Sequence, residues 1–249
     1  MNNSIPITES LYKKSKPIDQ LSNENAIQLF LKEQIESVIS INSNIKTISE
    51  IIESCTKHLI RNSKGRIVYC GAGSSGRIGV QDGAELYPTF GWPKKRSAYL
   101  IAGGNLALTE SVENAEDNEE DALMQVSNLK INEKDLVFGI AASGNTPFTC
   151  KALEEAKKRK SLTIAITNNP EGKILQHGTY KLILETGPEI VAGSTRLKAG
   201  TSQKIILNLF STLIMVNLGK VKNGQMINLV ATNKKLKKRQ IEIKKSLNE

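Results

Sequence analysis

Five short apolar runs, separated by longer stretches with helical spacing, organise the middle of the chain. They predict β-strands at residues 66–70, 97–102, 135–142, 162–167 and 180–184. The run DLVFGIAA at 135–142 is apolar at almost every position, which is typical of a strand buried on both faces of a parallel sheet. Strands that alternate with helices in this way predict an α/β fold, with helices covering both faces of a parallel sheet.

Apolar residues at helical spacing predict the remaining elements. We expect an irregular arm over residues 1–20 and a first helix that starts at Ser22. Further helices are expected over 45–59, from the loop at 71–76 to Glu85, over 148–160, over 198–218 and at the basic C-terminus. The stretch from Tyr87 to Pro93 is predicted to break regular structure twice. The helix at 198–218 is apolar on most sides, so we expect it to be central or at a dimer interface.

Composition limits the class of protein. The 249 residues are 39% hydrophobic and only 4% aromatic, so a core built from Ile, Leu, Val and Ala is expected. There is no apolar run of about eighteen residues or more, and the N-terminal sequence lacks the pattern of a signal peptide. Three scattered cysteines without metal-site spacing favour a reducing, cytoplasmic location.

The formal net charge is +9, and much of the excess lies near the C-terminus. The residues concerned are Lys234, Lys235, Lys237, Lys238, Arg239, Lys244 and Lys245. No aromatic residue lies among them to stack on a base, so a solvated helix face is favoured and no nucleic-acid partner is predicted. A basic surface would also attract a small anionic substrate.

Three loops rich in glycine, serine and threonine follow predicted strands, at 71–76, 143–147 and 187–201. Parallel sheets bind ligands beyond the carboxyl ends of their strands, so these loops are expected to meet at one edge. Backbone N–H groups at helix starts and neutral hydroxyls both suit a phosphate group. The loops therefore predict a phosphosugar site, although the first loop alone matches neither a P-loop nor a dinucleotide motif.

The motifs at 71–77 (GAGSSGR), 140–147 (IAASGNTP) and 193–204 (GSTRLKAGTSQK) resemble the sugar-isomerase (SIS) domain of bacterial N-acetylmuramic acid 6-phosphate etherases. Shorter matches are TES at 8–10, IDQLS at 18–22, LIAGG at 100–104, AED at 115–117 and ATNKKL at 231–236. The resemblance implies a three-layer, doubly wound SIS-type fold with a five-stranded parallel sheet flanked by helices. It divides the chain into an N-terminal arm with helices (1–60), an SIS phosphosugar-binding domain (61–220) and a basic C-terminal helix (221–249).

The same resemblance implies an activity. Such enzymes cleave the D-lactyl ether of N-acetylmuramic acid 6-phosphate with water, giving N-acetylglucosamine 6-phosphate and D-lactate, in cytoplasmic recycling of cell-wall sugars. SIS domains usually form dimers, so the resemblance implies a homodimer, and the reaction is expected to need neither a metal nor an organic cofactor. In the open-chain sugar, the C1 aldehyde acidifies the C2 proton and the ether oxygen on C3 leaves, so one acid and one base suffice.

The resemblance also implies site residues. Glu85, in Asp82-Gly-Ala-Glu where the family has Asp-Ala-Ser-Glu, is expected to be the proton donor, with Glu116 of AED as its partner. The expected substrate-binding residues are Gly73, Ser74, Ser75, Gly76, Ser143, Gly144, Thr146, Ser194, Thr195 and Lys198. Arg196 is a further candidate counter-charge. Without the motif, Glu116 is one residue of an acidic run that includes Glu113, and Lys198 is an ordinary residue at a helix start.

Two other functions fit the same residues. One is a phosphosugar-binding regulator without catalysis, as in the glucokinase regulatory protein, and the other is an aldose–ketose phosphosugar isomerase. Release of D-lactate would distinguish the etherase from both.

Overall fold

A single parallel sheet lies at the centre of the fold. The computed structural model describes residues 5–231 and 234–247. Its five strands are β1 (Ile67–Gly71), β2 (Ser97–Ile101), β3 (Leu136–Ile140), β4 (Leu162–Thr167) and β5 (Tyr180–Ile183), in the order β2-β1-β3-β4-β5. All neighbours are parallel, which confirms the predicted five-stranded α/β sheet. The strand order reverses between β1 and β3, the position at which such sheets bind ligands.

Helices cover both faces of this sheet. They are α1 (Asn23–Asn42), α2 (Ile45–Arg61), α3 (Gly73–Phe90), α4 (Glu119–Asn128), α5 (Pro147–Lys158), α6 (Lys198–Asn217) and α7 (Lys234–Ser246). A short antiparallel pair, β6 (Val221–Lys222) and β7 (Gln225–Met226), follows α6. None of the helices in the described ranges is both long enough and apolar enough to span a membrane.

Alternation along β1 shows how the layers are held together. Ile67 and Tyr69 pack into one apolar cluster with residues of α2, α3 and α6, whereas Val68 and Cys70 pack into a second cluster with residues of α4 and α5. All four side chains are at most 1% exposed, and burial of such a residue contributes about 1.5–3 kcal/mol. The strand is therefore apolar throughout because it has no solvent face.

Helix α6 confirms the expectation that it is central. It contacts α1, α2 and α3, and Ile206, Phe210 and Ile214 on it are completely buried. Its length also agrees with the prediction, since it ends within one residue of Leu218.

Helix α3 differs from the prediction at both ends. It begins at Gly73, so the glycine- and serine-rich stretch forms its first turn, and it continues through Pro88 to Phe90. Pro88 lies in the last turn, where it interrupts only the end of the hydrogen-bond ladder. The helix ends at Gly91, which has a φ of 63° and donates its N–H to the carbonyl of Tyr87, as in the αL C-cap motif.

The segments at the two ends of the chain both contact the central fold. The N-terminal arm reaches the loop before α6, where the Gly193 N–H donates to the Thr8 carbonyl at 3.2 Å. Near the other end, the Val230 N–H donates to the Pro88 carbonyl at 3.1 Å. Thr232 and Asn233 of the ATNKKL match lie outside the described residues, and the division at 60 and 220 stays a prediction.

Candidate functional site

A cavity of about 410 Å³ opens at the carboxyl ends of β1 and β3. Gly71 and Ile140, the last residues of these strands, are neighbours in the sheet register. The walls are the first turn of α3, the loop between β3 and α5, the turn at 115–117, the loop before α6 and the N-terminal arm. The cavity therefore lies where the strand order reverses, as expected for a ligand site in this kind of sheet.

All three predicted loops contribute to this one cavity. Seven of the expected site residues line it: Gly73, Ser74, Ser75, Ser143, Thr146, Thr195 and Glu116. They come from segments as far apart as residues 73 and 195. Five of them carry hydroxyl groups, so the wall offers several neutral donors beside one carboxylate.

Two helix N-termini, those of α3 and α5, face the cavity. Neither Ala72 nor Thr146, the residues that precede these helices, caps its helix with a side chain in the described structure. The first N–H groups of a helix have no partner within the helix and carry a partial positive charge. Because both ends border the same space, they form an environment suited to a phosphate group.

The N-terminus of α6 is different because the chain supplies its own anion. The buried carboxylate of Glu189 accepts hydrogen bonds from the backbone N–H groups of Lys198 at 3.2 Å and Ala199 at 2.9 Å. Burial raises the pKa of Glu189, and these two bonds oppose the rise only in part. The third loop therefore contributes Thr195 to the cavity, but its helix end is already occupied.

Lys198 points into the protein. It is 1% exposed, and its Nζ lies 2.5 Å from Oε2 of Glu33 on α1, while the Tyr12 hydroxyl donates to Oε1 of Glu33 at 2.8 Å. Burial alone would raise the pKa of Glu33, but the bonds from Lys198 and Tyr12 outweigh it and hold the pKa below its usual value. The pair joins α6, α1 and the arm, and the ammonium group does not line the cavity.

Four further candidates lie outside the cavity wall. A Cβ at Gly76 would lie 2.8 Å from the Gly71 carbonyl oxygen, so this glycine lets α3 pack closely on the end of β1. Gly144 is buried against Gly172, Ser194 is half-buried, and Arg196 is exposed. Their surroundings indicate packing and turn formation.

Of the two carboxylates expected to act together, Glu116 lines the main cavity and Glu85 does not. Glu116 is exposed in the turn at 115–117 and borders both the main cavity and a neighbouring cavity of about 280 Å³. Glu113 borders only the neighbouring one. Glu85 is exposed on α3, twelve residues after Gly73, which is about 18 Å along the helix axis.

Asp82, at the start of the motif that contains Glu85, has a structural role. It is buried and accepts hydrogen bonds from the Tyr69 hydroxyl and the Asn208 amide, both at 2.7 Å, and from the Ser211 hydroxyl at 3.0 Å. This cluster joins α3 to β1 and α6. Part of the motif is therefore explained by packing.

The sequence analysis assigned no site role to three of the polar residues that line the cavity. They are Glu9 of the arm, Asp117 beside Glu116, and Asn145. The side-chain oxygen of Asn145 accepts a hydrogen bond from the Lys173 N–H at 3.1 Å. Glu9 belongs to the TES match, but no local pattern shows that the arm folds back to the sheet edge. No group of three or more metal-binding side chains is found within 5–231 and 234–247.

Comparison with known proteins finds both similar sequences and similar folds. The family model of the glucokinase regulatory protein N-terminal SIS domain matches residues 47–157. The chain is 39% identical to an N-acetylmuramic acid 6-phosphate etherase of Mycoplasma mycoides over 247 residues, which are 99% of this chain and 81% of that protein. It is 41% identical to the Lactococcus lactis etherase over 232 residues, covering 93% of this chain and 77% of the relative.

A solved structure supports the fold alone. The phosphoheptose isomerase from Francisella tularensis superimposes with a TM-score of 0.59 at 21% identity, covering 78% of this chain and 98% of that one.

Proposed function

The chain belongs to the N-acetylmuramic acid 6-phosphate etherase family, and we propose that the cavity at the carboxyl ends of β1 and β3 is where it cleaves that sugar. It is a carbon–oxygen lyase that releases D-lactate and N-acetylglucosamine 6-phosphate. The observation that carries the assignment of the site is that three distant motifs line one cavity beside Glu116. The reaction belongs to recycling of cell-wall sugars in the cytoplasm, and the three free thiols fit a reducing compartment.

The 6-phosphate is held at the N-termini of α3 and α5. Both ends face the cavity without a side-chain cap, and Ser74, Ser75 and Thr146 add hydroxyl donors around them. Ser143 and Thr195 complete the wall. The N-terminus of α6 takes no part, because Glu189 already accepts its first N–H groups.

The elimination step needs two proton transfers. In the open-chain sugar, a base removes the proton from C2, the C3–oxygen bond breaks and the acid protonates the departing lactate oxygen. The oxygen of water then adds at C3 of the unsaturated aldehyde and a proton returns to C2, which gives N-acetylglucosamine 6-phosphate. We assign Glu85 as the proton donor and Glu116 as its partner, and each positioned group contributes about 10²–10⁴-fold to the rate.

Because Glu85 lies about 18 Å along α3 from Gly73, a second copy of the chain must supply it to the site. A homodimer is supported by a stripe on α1 in which every large apolar side chain is more than half exposed. The stripe consists of Ile27, Leu31, Ile35, Val38 and Ile39. Exposed apolar surface of this kind marks an interaction face, and a twofold axis places the same stripe of each copy against the other.

The direct test is incubation with N-acetylmuramic acid 6-phosphate and assay of D-lactate. The wild-type chain should release lactate, and Glu85→Gln and Glu116→Gln should each abolish release while N-acetylglucosamine 6-phosphate still binds. The matched control is Glu120→Gln, in the same acidic region but on α4, which should keep normal activity. Binding without lactate release would favour the regulator, and ketose formation from an aldose phosphate would favour the isomerase.

Mixing the two inactive variants tests the shared site. Random exchange of subunits makes half of the dimers mixed, and each mixed dimer has one site with both carboxylates, so about a quarter of wild-type activity should return. If no activity returns after verified exchange, the two carboxylates do not come from different chains.

A further inference from the structure

The N-terminal arm brings an unassigned carboxylate, that of Glu9, into the main cavity. Glu9 lines the same cavity as Glu116, although the two residues are far apart in the sequence. The arm is attached on both sides of Glu9. Thr8 is completely buried and its carbonyl accepts the Gly193 N–H, while the Tyr12 hydroxyl donates to Glu33.

The loop before α6 leaves space for this carboxylate. A Cβ at Gly193 would lie 2.6 Å from Oε2 of Glu9, closer than real Cβ contacts allow, so Glu9 rests against the bare Cα of this glycine. Gly193 also has a φ of +73°, a conformation that other residues rarely adopt. The position of Glu9 therefore depends on both the arm and the glycine.

The chemistry of a carboxylate limits what Glu9 can bind. An ionised carboxylate only accepts hydrogen bonds, and it repels a phosphate group and the carboxylate of the lactyl group. The remaining groups of the substrate include hydroxyl and amide N–H donors. We propose that Glu9 is a specificity-determining residue that accepts a hydrogen bond from a hydroxyl or N–H group of the bound phosphosugar. This inference rests on the proposed function of the cavity.

Calorimetry with two ligands tests the proposal. In Glu9→Gln, which keeps the size and removes the charge, the dissociation constant for N-acetylglucosamine 6-phosphate should rise roughly 10-fold, since hydrogen bonds to charged groups are the strong ones. Binding of inorganic phosphate should stay within about twofold or become tighter, because a nearby negative charge is removed. The matched control is Asp19→Asn, elsewhere on the same arm, which should change neither.

A second variant keeps Glu9 and displaces it. Gly193→Ala should weaken sugar-phosphate binding in the same selective way. Adding Glu9→Gln to it should raise the dissociation constant little further, because both changes remove the same interaction. If the binding of both ligands weakens equally, Glu9 only holds the arm in place. If sugar-phosphate binding is unchanged, Glu9 makes no contact with the sugar. Either result overturns the proposal. These experiments measure binding without turnover. A wild-type chain that binds the sugar phosphate but releases no lactate would contradict the etherase reaction, and the effect of Glu9 on binding could still be measured.

Discussion

The buried ion pair between Lys198 and Glu33 allows a sharp test of what the lysine does. Both side chains are at most 4% exposed, and their charged atoms lie 2.5 Å apart. Lys198→Met keeps a long apolar side chain and leaves the carboxylate of Glu33 buried, with the Tyr12 hydroxyl as its remaining hydrogen-bond partner among the described residues. We expect the variant to be strongly destabilised at neutral pH.

The magnitude follows from burial. Removing one partner of a buried ion pair costs about 3–5 kcal/mol, whereas typical domains are stable by about 5–15 kcal/mol. For a chain of this size, each kcal/mol lowers the melting temperature by roughly 2–4 °C, so a fall of roughly 6–20 °C is expected. The loss should be smaller at pH 5 than at pH 8, because protonation removes the unpaired charge of Glu33.

Urea unfolding followed by circular dichroism measures the effect, and the double variant Lys198→Met/Glu33→Leu separates the two roles of the lysine. Replacing both charges by apolar groups should restore stability to within about 2 kcal/mol of wild type. If the lysine only holds α6 against α1, the double variant also regains binding of N-acetylglucosamine 6-phosphate. A single variant as stable as wild type, or a stable double variant that binds no sugar phosphate, would refute this reasoning.

Three further outcomes are expected. The pKa of Glu33 is lower in the folded protein than its usual 4.5. The stability that its ionised form contributes is therefore complete above about pH 4.5 and is lost as the pH falls through the folded-state pKa. Measuring the free energy of unfolding at decreasing pH should show this loss in the wild type and not in the double variant. Gly76→Ala should lower the free energy of unfolding in urea by about 1–3 kcal/mol and weaken phosphate binding, because the added Cβ would press on the Gly71 carbonyl. An unchanged urea unfolding curve would contradict the packing role of Gly76. Glu189→Ala should lower the free energy of unfolding by about 0.5–2 kcal/mol, because it removes the cap of α6, and should raise the KM for the sugar. Glu185 is exposed nearby, and Glu185→Ala should change neither quantity.

The elements of the fold could be predicted because their causes are local. A strand buried on both faces must be apolar throughout, so β3 and β4 are recognisable in isolation, and β4 was predicted at its observed bounds. Parallel strands then place the loops that follow them at one sheet edge, which is why the sequence predicts that Ser74, Ser143 and Thr195 lie together, as they do in the cavity.

The three-dimensional arrangement decided which of those residues face the ligand. Lys198 and Glu33 are 165 positions apart, and only packing of α1 on α6 shows that the lysine turns inward. The approach of Glu9 depends in the same way on the arm meeting Gly193, and the distance of Glu85 from the cavity depends on α3 being continuous from Gly73 to Glu85. A local pattern specifies the period and the ends of an element, but the direction of a polar side chain depends on partners that are distant in the sequence.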